Sequence, residues 1–108
     1  MNAAYQNEID TVVRIIAETG LVSRVILFGS LARGEDTAGS DIDLCVLTPV
    51  KDRHSADVAV DLRMKLYGIQ QLPLDLFAYN HDDFLLHAKR PTSLEYEIAE
   101  HGVILYDR

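Results

Sequence analysis

Tryptophan is absent from this 108-residue sequence, cysteine occurs once, methionine twice and proline three times. A single cysteine cannot close an intramolecular disulfide, so the fold must rest on apolar burial rather than covalent staples. Cys45 stands in "DLCVL", where a small thiol packs as a hydrophobe, and a reducing compartment is expected. Long apolar runs are also lacking: "VILF" and "FLL" fall far short of the roughly 20 residues that span a bilayer. The opening stretch, MNAAYQNEID, has no basic segment followed by an apolar one, so no secretory signal is read and a cytoplasmic location is expected. Positive charge is scarce as well. Ten Lys and Arg are scattered among 17 Asp and Glu, giving a formal charge of −7. That field repels a polyanion, so direct nucleic-acid binding is not expected.

What remains is ordinary globular material, 48% apolar and 25% charged, with no repeat, low-complexity tract or linker. The length suits a single domain over residues 1–108. Tyr5, Ile9, Val12, Val13 and Ile16 recur at helical spacing and predict a helix over about 2–19, stopped by Gly20. "RVILF" at 24–28 reads as a strand buried on both faces, and "DIDLCVL" at 41–47 as a second strand closed by Thr48-Pro49. Between them, "GSLARGEDTAGS" is a loop or one short helical turn. Val58, Leu62, Leu66 and Ile69 mark a helix over about 54–70, ending near Gly68. A third strand lies in "QLPLDLFAY", where Pro73 favours the first residues or a sheet edge. Helices over about 81–87 and 92–100, the latter capped by Thr92 or Ser93, precede a last strand at 103–106. This order predicts an α/β (α+β) fold with a mixed sheet of about four strands and helices packed on it.

Asp41 and Asp43 are one residue apart in a strand and therefore share a face, with Cα atoms about 7 Å apart. Asp75, between Leu74 and Leu76, repeats the pattern on the third strand. If those strands are neighbours, three carboxylates converge, and like charges so placed raise one another's pKa. A divalent cation relieves the conflict, and oxygen donors without His or Cys select Mg²⁺ or Mn²⁺. Alternating Asp alone is the usual pattern of a solvated strand face. The preceding loop changes its meaning. Gly29-Ser30 follows a buried strand at a tight turn, where a missing Cβ lets an anion approach backbone N–H groups, and Arg33 adds a donor fork matched to phosphate.

Gly29-Ser30, ten intervening residues and Asp41-Ile42-Asp43 resemble the signature of the DNA polymerase β-like nucleotidyltransferase superfamily. Arg33-Gly34 and Ser40 match the fuller form, G-S-x-A-R-G…S-D-I-D-L, of its minimal members. Four fixed residue types at this spacing arise by chance on the order of 10⁻³ per chain of this size. The resemblance implies that Asp41, Asp43 and Asp75 hold a pair of Mg²⁺ ions, Mn²⁺ being possible, and carry catalysis. Gly29 and Ser30 would hold the triphosphate of ATP or another nucleotide, with Arg33 as a further phosphate contact. Many minimal members are antitoxins paired with a helical toxin of the HEPN type, which implies AMP transfer from ATP to a tyrosine hydroxyl of that toxin. The alternative is a noncatalytic antitoxin of the same fold that neutralises its partner by contact.

His54, His81, His87 and His101 fit no zinc spacing and are expected at the surface or rim. Asp82 and Asp83 read as first-turn residues of a helix. The tyrosines are expected at the edge of the core, with Tyr79 and Tyr106 as candidate partner contacts. Neither the nucleotide base nor the choice between homodimer and hetero-oligomer is written in the residues.

Overall fold

Asn2 opens the first helix by accepting the Tyr5 backbone N–H at 3.0 Å. The computed structural model describes residues 2–49 and 51–108. Helix α1 (Ala3–Glu18) buries Tyr5, Ile9, Val12 and Ile16, the stripe that its spacing predicts. Strand β1 (Arg24–Phe28) follows, then a single helical turn, α2 (Ser30–Arg33), and strand β2 (Ile42–Thr48). Helix α3 (Ser55–Leu66) crosses to β3 (Leu74–Asn80). Two short helices, α4 (His81–His87) and α5 (Leu94–His101), lead to the last strand, β4 (Val103–Asp107).

The strands form one mixed sheet in the order β3-β2-β1-β4. β1 is antiparallel to β2 and β4, whereas β2 and β3 run parallel, a pairing that requires a crossover such as α3. Strand alternation divides the core. Ile42, Leu44 and Val46 pack with α1 and α3 on one side, and Cys45 and Leu47 pack with Phe84 of α4 and Ile98 of α5 on the other. Cys45 is fully buried and its thiol pKa is pushed up to about 12, first by that burial, so it is the inert core residue expected.

Several boundaries differ from the sequence reading. Helix α3 stops at Leu66 because Tyr67 turns to extended backbone, and Ile69 is left 45% exposed instead of prolonging the buried face. The third strand begins only at Leu74, but the Pro73 carbonyl accepts the Ile42 N–H at 2.9 Å and so starts the ladder with β2. Lying at the sheet edge, β3 occupies one of the two settings that Pro73 allows. Ser93, not Thr92, caps α5 by accepting the Tyr96 N–H at 3.0 Å. Gly102 joins α5 to β4 at a tight contact: a Cβ there would strike the Ile98 carbonyl oxygen and the Ile26 side chain. No helix among the described residues is long and apolar enough to cross a membrane.

Candidate active site

The chain leaves β1 through Gly29, whose φ of 78° and ψ of −157° lie in a region essentially reserved for glycine. A Cβ at this position would run into the Asp43 carboxylate, so the absent side chain both permits the turn and makes room for the acid. Ser30 begins α2 directly after it, and buried Leu31 fastens this turn to the core. Arg33 ends the turn half-exposed, its Nε donating to Glu35 Oε2 at 3.0 Å.

Asp43 stands opposite Phe28 across the antiparallel pair and opposite Asp75 across the parallel pair. Residues in register on adjacent strands share a face, so Asp43 and Asp75 look out together, on the side that α4 and α5 cover only in part. Asp41 lies one position before β2 and is exposed, near enough for its charge to act on Asp43. The Asp43 carboxyl is raised above its ordinary pKa of 3.8. Partial burial is the main cause; the Asp75 and Asp41 charges and a hydrogen bond with Asp75 push the same way, while Arg33 opposes them. Beside the acids, Phe28 meets Phe77 edge to face, ring centres 5.4 Å apart and planes at 75°.

Beside the Gly29 turn lies a cleft of about 180 Å³ bounded by Phe28, Gly29, Arg33, Leu94, Glu97 and His101. The last three occupy one side of α5 at positions i, i+3 and i+7, so their common face was present in the spacing. Nothing in the sequence says that this face looks onto the turn. His101 lies 3.9 Å from Glu97 at the cleft margin, a rim position as expected.

Among the described residues no three His, Cys, Asp or Glu side chains are gathered as a ready metal-binding group. The donor set nevertheless fits a hard divalent cation. Asp43 is hydrogen-bonded to Asp75, the Asp75 and Asp41 charges both bear on it, and neither histidine nor thiol stands among them.

Residues 10–108 match the family described as "Polymerase beta, Nucleotidyltransferase". Over 87 residues the chain is 32% identical to "Putative protein adenylyltransferase MJ0604" of Methanocaldococcus jannaschii, covering 81% of each chain. Its fold is also similar to the crystal structure titled as a putative nucleotidyltransferase from Sulfolobus solfataricus. That match has a TM-score of 0.59 at 18% identity and covers 100% of this chain and 90% of the other.

Proposed function

Since the chain belongs to the polymerase β-type nucleotidyltransferase family, we propose that it transfers AMP from ATP to a protein hydroxyl, a tyrosine of a helical HEPN-type toxin that it thereby silences. The observation that carries this reading is the in-register pairing of Asp43 with Asp75 against Gly29, whose missing side chain lets Asp43 sit directly beside the turn that Ser30 begins. Asp41, Asp43 and Asp75 would hold Mg²⁺. When bound, that ion supplies positive charge against the triphosphate and the departing pyrophosphate.

The chain's own groups do the rest. Gly29 and Ser30 offer backbone and hydroxyl donors to the phosphates, and Arg33 turns from Glu35 to a phosphate oxygen that its fork fits better. Phe28 and Phe77, paired edge to face, form an apolar flank beside Asp43 and Asp75. The acceptor oxygen bonds to the α-phosphorus as the bond from that phosphorus to the bridging oxygen breaks. Pyrophosphate leaves, and the hydroxyl proton passes to the Asp75 carboxylate. A tyrosine hydroxyl with a solution pKa near 10 needs such a base at neutral pH.

The purified chain, ATP, Mg²⁺ and the candidate toxin are incubated and weighed intact. A toxin mass gain of AMP units, lost with Asp43→Asn or with chelator, is the expected result. Toxin inhibition without added mass would replace transfer with neutralisation by contact.

A further inference from the structure

Two polar contacts reach from one turn of α1 to the entrances of both acid-bearing strands. The Tyr5 hydroxyl, on a side chain only 7% exposed, donates to the Ser40 carbonyl oxygen at 2.6 Å. One turn on, Glu8 Oε2 accepts the backbone N–H groups of Gln71 and Leu72 at 2.6 and 2.7 Å. Ser40 immediately precedes Asp41, and Leu72 lies three residues before Asp75. The two entrances are themselves joined by the bond from the Ile42 N–H to the Pro73 carbonyl. Helix α1 thus grips, from the reverse side of the sheet, the segments that set where all three carboxylates begin.

We infer that Tyr5 and Glu8 are positioning residues: from behind the sheet they together hold Asp43 in register with Asp75, and Asp41 just ahead of it. The catalytic part of this inference rests on the nucleotidyltransferase reading; the mechanical part does not. Neither residue is hydrogen-bonded to the acids; the Tyr5 ring shares the core with Ile9, Val12 and Ile16, so its hydroxyl is the part that Tyr5→Phe isolates, whereas half-buried Glu8 fills no core position. Both lie before residue 10, outside the stretch that matches the family. Glu8 is the stronger member, because one ionised oxygen takes two backbone donors and bonds to charged acceptors exceed neutral ones. Ser40 is held from two more sides: its Oγ accepts the Thr37 N–H at 2.8 Å and its N–H donates to the Thr37 carbonyl at 3.0 Å. The Tyr5 bond therefore fastens a turn that is already shaped rather than a slack loop.

The test compares Tyr5→Phe, which keeps the ring, Glu8→Ala, and Glu8→Gln, which keeps an acceptor oxygen without the charge. Amide hydrogen exchange is followed in the intact chain, with folded fraction checked by circular dichroism. In Glu8→Ala, exchange at Gln71, Leu72 and Ile42 should rise by about tenfold or more relative to Ile26 in the sheet centre. Glu8→Gln should recover part of that protection. Tyr5→Phe should act at Ile42 while leaving Gln71 and Leu72 protected. For transfer, kcat should fall in Tyr5→Phe and Glu8→Ala with the KM for ATP unchanged, since the bonds of Tyr5 and Glu8 run to the strand entrances and not to the Gly29 turn. Uniform acceleration across the sheet, or full kcat in folded variants, overturns the inference. If wild-type chain transfers nothing, the functional reading fails, and the exchange pattern alone still decides whether the grip exists.

Discussion

At the scale of single residues, Asp43 works against the stability of the fold it sits in. Its carboxyl holds a proton more tightly in the folded chain than the ordinary value of 3.8. Folded protein then binds more protons than unfolded protein, so stability falls as pH rises from about 3.8 through the raised value and stays lower above it. Asp43→Asn should therefore melt higher than wild type at neutral pH without divalent ions, with the margin closing on acidification. Thermal scans from pH 4 to 8 check this. Adding Mg²⁺ should raise the wild-type midpoint and leave the variant's unchanged, while transfer falls by about 10²-fold or more. Gly29→Ala meets both a forbidden backbone region and the Asp43 carboxylate, and should cost about 1–3 kcal/mol in urea titration and abolish transfer.

The acids and the turn were legible as residues because their spacing is local: Gly29 and Asp43 lie within one loop and one strand. Tyr5 was legible only as an apolar position of the first helix. Its hydroxyl reaches a carbonyl 35 positions away and Glu8 reaches amides 63 and 64 positions away, separations at which periodicity carries no signal.

At the scale of elements, alternation and punctuation told the strands apart but not how they pair. Asp43 and Asp75 can be placed on faces from "DID" and "LDL", yet only the parallel register of β2 and β3 makes those faces one. The end of α3 departs from its spacing for a related reason. Ile69 continues the helical spacing in sequence, but the backbone has already turned at Tyr67 to return toward β3. The junction of α5 and β4 yields a prediction at this scale. Gly102 has φ −75° and ψ 162°, which any residue can adopt, so its need for a missing side chain is purely one of space. Gly102→Val should overpack α5 against β1, lower stability by about 1–3 kcal/mol in urea titration, and widen the cleft that Leu94, Glu97 and His101 share with Gly29.

At the scale of the whole molecule, Asp75 rides on an edge strand, and within β3 only Leu76 is fully buried. Arg63 of α3 steadies that strand by donating to the Leu76 carbonyl at 2.8 Å. Such an edge can open locally for less free energy than global unfolding requires. Heat should accordingly remove transfer activity several degrees before far-ultraviolet circular dichroism reports melting, and coincident midpoints would show the edge to be as firm as the centre.

The crossover through α3 also sets an order of events during synthesis. A ribosome makes the Gly29 turn and the first two acids early, but the chain must grow past the edge strand before the third can join them. Until β3 has docked beside β2, Asp43 has no carboxylate across from it, so the acid pair is the product of the parallel pairing and not of any local segment.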